Sequence, residues 1–219
     1  MIGKRSFFAL WFIVIIGGAK IDWWHESQFL PPPEERESAQ VLTDVFGEVK
    51  SVLARYLWFK MDLFHEVLDE QGVDPNQQSE VLPLLRIVTL LEPSLTDSYD
   101  QLVWDLYRGH KKVETAMSVL EEGLKRNPES YQLTFRKALI QHMQKQHVES
   151  RITAEKALPL TKDKTQWADC LRLVYWSSVE LEDLPVRKHA LQALLKLRPD
   201  DPLWIRERKK MELEELETK

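Results

Sequence analysis

Trp104 and Arg108 stand four residues apart. On a helix that spacing places an indole and a guanidinium on one face, where they can form a cation–π pair or a patch turned toward a ligand. Tryptophan and arginine are also the types enriched at binding hot spots. Gln101 and Asp105 lie with them off the apolar stripe of the same predicted helix. The four are candidate partner-binding residues, although packing of Trp104 against a neighbouring helix would use the same ring structurally. Trp58 and Phe59 pose the same alternative. Adjacent aromatics on a helix point in different directions, so one is expected to pack while the other meets a second helix; Trp58 joins the candidate set.

Other chemistry finds little support in the sequence. His142 and His147 are five apart, not the four that puts two ligands on one helical face. His110, beside Lys111 and Lys112, reads as a solvated turn. The glycine motifs of phosphate loops, dinucleotide sites and nucleophile elbows do not occur, and the acidic residues are scattered along polar helix faces. We therefore expect no catalytic, metal or cofactor-binding residue, no cofactor and no enzyme activity. A net charge of −5 gives no basic field for nucleic acid, which is not an expected partner. Cys170, the one cysteine, falls on an apolar helix position and is expected to be a buried thiol.

The elements that must position these residues read as helices throughout. Hydrophobic residues make up 43% and charged residues 30%, and only seven glycines punctuate the chain, which suits an all-α fold. A long helix is expected from Glu37 to Asp69, with an apolar stripe through Val49, Val52, Leu53, Tyr56, Leu57, Leu63, Phe64 and Val67. A short helix ends at Leu91, before Glu92-Pro93. Shorter helices then follow in pairs, from Asp97 to Arg108 and onward, and a mostly charged last helix runs from about Pro202 to Glu217 as a solvent-facing cap. Prolines close helices at 93, 128, 159 and 199, spaced 35, 31 and 40 residues apart. Helix pairs recurring near this period are each too thin to bury their own stripe and must stack.

The N-terminus is of another kind. Lys4 and Arg5 precede an apolar run holding Phe7, Phe8, Leu10, Trp11, Phe12, Ile13, Val14, Ile15 and Ile16. Ser6 to Trp24 would give about 28 Å of helix, enough to cross most of a bilayer with Lys20 and Trp23-Trp24 at the interface. A retained signal anchor is the leading expectation. A signal peptide cleaved after Ala19 and a buried helix are the alternatives. The positive residues on the short side place the N-terminus in the cytoplasm. The chain thus divides into an anchor or signal segment (1–24), a proline-rich linker (25–37) and a helical repeat domain (38–219).

Asp97 to Pro128 resembles a tetratricopeptide repeat, with Val103, Trp104 and Tyr107 at first-helix positions and Ala116, Leu120, Gly123 and Pro128 at second-helix and closing positions. Trp104 departs from the pattern, standing where a small residue is usual. So does Tyr175 in the repeat ending at Pro199, and the repeat ending at Pro159 matches least. More broadly, Gly47–Trp58, Leu82–Pro93 and Gly123–Tyr131 are similar to the motifs of a family of bacterial envelope proteins with an N-terminal hydrophobic segment and degenerate repeats. The resemblance implies an α–α superhelix held at the inner membrane by a single pass, with the repeats outside the cytoplasm. It implies protein partners, themselves envelope or membrane proteins. A permanent structural subunit of a membrane complex is the alternative to a recruiting adaptor.

Overall fold

The computed structural model describes residues 33–217. The expected anchor, Phe7 to Ile16, and the linker as far as residue 32 lie outside the described residues. Among the described residues every regular element is helical and none is a strand, so the chain is all-α. The order is α1 (Pro33–Glu70), α2 (Val81–Leu91), α3 (Thr96–Trp104), α4 (Val113–Arg126), α5 (Tyr131–Met143), α6 (His147–Ala157), α7 (Lys164–Glu180), α8 (Leu184–Leu197) and α9 (Pro202–Glu217). A π-helical turn, Asp105–Gly109, extends α3. No helix among the described residues is long and apolar enough to cross a membrane.

Local sequence sets the helix starts. α1 begins at Pro33 and not Glu37, because proline suits a first turn whose amides have no intrahelical acceptor. The expected linker, as far as position 37, thus overlaps the first turn of this helix. Ser130 caps α5 by accepting from the Leu133 amide at 3.3 Å. Asp163 caps α7, accepting from the amides of Thr165 and Gln166 at 2.8 and 2.9 Å. Each such cap stabilises by about 1 kcal/mol.

From α3 onward the helices stack as hairpins: α3 on α4, α5 on α6, α7 on α8. The first helices of successive pairs also touch, α3 against α5 and α5 against α7. Each hairpin turns through a non-glycine residue with positive φ, Lys111 (57°), Lys145 (62°) and Glu182 (54°), spaced 34 and 37 residues apart. This recurrence corrects the register read from prolines. Pro159 does not close the middle pair; it lies in a 3₁₀ turn, Leu158–Leu160, and the equivalent of Pro128 and Pro199 is Lys162. In the corrected register Ala138 is the counterpart of Trp104 and Tyr175. Gly123, Ala157 and Leu194 are counterparts facing inward from the second helices.

The core follows the stacking. One cluster holds Met61, Leu85, Tyr99, Val103, Leu120, Leu133 and Ile140 among others. A second holds Ala138, Ala154, Leu171, Tyr175, Leu191 and Trp204. Helix α5 divides them, giving Leu133 and Ile140 to the first and Ala138 to the second. Burial is thus passed from pair to pair and not gathered around one centre.

The last helix is less solvated than its charge implies. Trp204, Glu207 and Met211 are all buried, on one face at spacings of three and four. Gly109 shows the tightest constraint. A Cβ there would lie 1.8 Å from the carbonyl oxygen of Asn76. Gly109→Ala is expected to cost about 1–3 kcal/mol in urea unfolding, the range for forced overpacking. An unchanged midpoint would show that the Pro75–Gln77 turn can retreat freely.

Candidate partner-binding site

The side-by-side first helices create a polar row between them. On α3 and the π-helical turn that extends it, Thr96, Asp100, Trp104 and Arg108 recur every four residues and lie along one side. Helix α5 answers with Gln132 and Arg136. The Thr96 hydroxyl donates to Gln132 Oε1 at 3.4 Å, and Gln132 Nε2 donates to Asp100 Oδ2 at 3.3 Å. Arg136 grips Asp100 with two bonds, Nε to Oδ1 at 2.5 Å and Nη2 to Oδ2 at 2.7 Å. Bidentate geometry makes this the firmest polar tie between the first helices.

Trp104 lies at the end of that row. The Arg136 guanidinium is 4.3 Å from the indole centroid, and that of Arg108 is 5.5 Å away. Tyr107 stacks near the same ring at 6.4 Å. The pairing of Trp104 with Arg108 read from spacing is therefore present, but the closer cation was missed. Arg136 comes from the next hairpin, 32 positions along the chain, and no local pattern announces it. Trp104 stays half-buried and Arg108 exposed, so both keep an accessible edge.

Asp105 and Gln101 face elsewhere. Asp105 is 1% exposed and presents no surface to a partner. Its Oδ1 accepts from Gln101 Nε2 at 2.7 Å, while Oδ2 is buried without a hydrogen-bond partner. Burial, reinforced by the charge of Asp74, pushes the Asp105 carboxyl up to about 7 despite the Gln101 bond and the Arg136 charge. Gln101 also reaches Asn76 Oδ1 at 3.4 Å. Trp58 is half-buried against the first core cluster, whereas its neighbour Phe59 is 61% exposed.

An open hollow of about 520 Å³ continues the row beyond Thr96. It is lined by Thr96, the turn Asn127–Ser130, Tyr131 and Gln132 at the start of α5, and Gln166 on α7. Tyr131 donates its hydroxyl to the Gln166 carbonyl at 3.1 Å and stacks on Phe135 at 5.7 Å. Asn127 is committed inward, donating to the Pro93 carbonyl at 2.8 Å and to that of Gly123 at 3.1 Å. These lining residues escaped the sequence reading because they come from three separate segments that no local pattern joins.

The remaining reactive groups are quiet. Cys170 is fully buried, and burial pushes its thiol up to about 11, so little thiolate exists near neutrality. The His142 and His147 rings meet edge-on at 5.1 Å, with His142 Nδ1 3.1 Å from Ser177 Oγ. His110 is half-buried with Nε2 enclosed and unpartnered, so its turn is less solvated than expected. Among the described residues no group of three or more side chains could hold a metal ion.

No family model matches the chain, and no curated protein matches it.

Proposed function

We propose that the chain is a membrane-anchored adaptor whose hairpins form a tetratricopeptide-like array and dock an extended segment of an envelope protein. The observation that carries this reading is the continuous strip from the hollow at Tyr131, Gln132 and Gln166 to the exposed edges of Trp104 and Arg108. It combines an aromatic floor, amide groups able to bond a peptide backbone, and one exposed guanidinium. That mixture suits an extended chain better than a rigid globular surface. The N-terminal apolar run supplies the anchor, and the prolines that follow space the array from the bilayer.

The test compares capture from detergent-solubilised membranes by the wild-type chain, by Arg108→Ala and by Tyr131→Ala. A partner recovered by the wild type should fall by about tenfold with either variant, with folding unchanged by circular dichroism. Equal recovery by all three would remove the strip from consideration. The exposed apolar face of α1 favours a second reading, a permanent subunit of a membrane complex. In that case the partner should fail to exchange with free partner after assembly, whereas an adaptor should exchange it.

A further inference from the structure

Helix α1 has two faces, and among the described residues only one is packed against other elements. Ala54, Trp58 and Met61, spaced four and three, turn inward; Ala54 is fully buried and Met61 4% exposed. The opposite side carries Val49, Val52, Tyr56, Phe59 and Leu63, exposed by 59, 69, 56, 61 and 44%. Their spacing is three, four, three, four. That is the seam of a coiled coil, in which apolar residues at alternate spacings of three and four insert between those of a facing helix. The sequence continues the spacing toward the N-terminus through Val45 and Leu42. Seven successive seam positions, over three heptads, are thus apolar.

We infer that a second copy of the chain covers this face, its α1 lying antiparallel about a two-fold axis between positions 50 and 51. Self-pairing in that register sets Val49 opposite Val52 of the second copy, so that small aliphatic side chains meet at the two-fold axis and no large ring meets its own copy. Glu48 falls beside Arg55 of the second copy, and two-fold symmetry makes that attraction twice. Both residues are exposed. Parallel pairing fails both comparisons. It stacks Tyr56 on Tyr56 and Phe59 on Phe59, and places Arg55 beside Lys60, a like-charge contact made twice.

Area and charge agree with a helix as the occupant. The five exposed seam residues offer on the order of 500 Å², the larger part of the about 800 Å² per partner that a standard interface takes. A bilayer surface suits the face poorly, since Glu48, Asp62 and Asp69 flank it as closely as Arg55 and Lys60 do. The inference stands apart from the strip on α3 and α5, which lies on other helices.

The experiment uses the full chain in detergent. Sedimentation should give a protein mass twice the 25.8 kDa of one chain. Phe59→Glu, at an exposed position, should keep the helical spectrum and raise the dimer dissociation constant by about 100-fold, as loss of a hot spot does. Oxidation of the double variant Glu48→Cys/Arg55→Cys should yield a disulfide-linked dimer, since the native thiol is buried. Val49→Cys alone should not. A wild-type monomer at micromolar concentration, bound to vesicles or not, would overturn the inference. So would a dimer indifferent to Phe59→Glu, or efficient cross-linking through Val49→Cys, which reports parallel pairing.

Discussion

Replacing Asp105 by asparagine is expected to raise stability at pH 8 by about 2–4 kcal/mol and to change it little at pH 4. The sign follows from where the proton sits. Folding raises the Asp105 carboxyl from 3.8 to about 7, so the folded chain holds a proton that the unfolded chain has already released. Below pH 3.8 both states are protonated and the group adds no pH dependence. Between about 4 and 7 unfolding releases a proton, and stability falls as pH rises. Above 7 the folded chain carries a buried carboxylate whose Oδ2 has no hydrogen-bond partner, and the full cost applies. Asparagine keeps the acceptor for Gln101 and removes the charge. Urea denaturation of both proteins from pH 4 to pH 8 checks this through their difference, which cancels the other titrating groups. Parallel curves would mean that Asp105 ionises at an ordinary pH.

The same carboxyl shows what a sequence conceals. Asp105 and Arg108 are three residues apart on what reads as one helix, and both looked solvent-facing from their position off the apolar stripe. Asp105 keeps ordinary helical register, its amide bonded back to the Gln101 carbonyl, and it shares a flank of the helix with the buried residues Ser98 and Leu102; the wide turn closes only at His110. The stripe is wider than its apolar residues announce, because Ser98 and Asp105 are polar members of the buried face. Helix order was legible because the periodicity of each segment is local: the pairs around Lys111, Lys145 and Glu182 follow from apolar spacing and turn residues. The middle register was not, because Pro159 looks like a terminator whether it closes a repeat or merely ends α6.

Helix α1 exposes a different limit. Its apolar stripe was legible, yet periodicity cannot say which side faces the rest of the chain. The inward side is the sparser one, Ala54, Trp58 and Met61. Its grip on α2 is reinforced by Ser51 donating to Glu92 at the end of that helix. Those two serine bonds, from Ser51 and Ser94, hold the Glu92 carboxyl below its usual range. Among the described residues nothing covers the richer side, the face we assign to a second copy. An amphipathic helix with two apolar faces therefore carries tertiary and quaternary information in one segment, and only coordinates separate them.

Trp204→Ala is expected to cost about 3–5 kcal/mol, the range for truncating a buried aromatic. Trp204 is 1% exposed, with its ring 5.4 Å from Tyr175 and 6.4 Å from Trp176. The Tyr175 hydroxyl donates to Glu207 Oε2 at 2.9 Å, and Arg187, 5.7 Å over the Tyr175 ring, binds Glu214 at 2.8 Å. One aromatic and two acidic side chains of α9 thus close the open end of the last hairpin. Removing the indole leaves a large void under the cap and loosens the polar bonds placed by it. Because the core is divided at α5, the loss should be uneven. Hydrogen exchange should show α7, α8 and α9 losing protection while α2, α3 and α4 keep theirs. Uniform loss across the chain would mean that the two clusters unfold as one unit, and that burial is shared more widely than contact between neighbouring pairs.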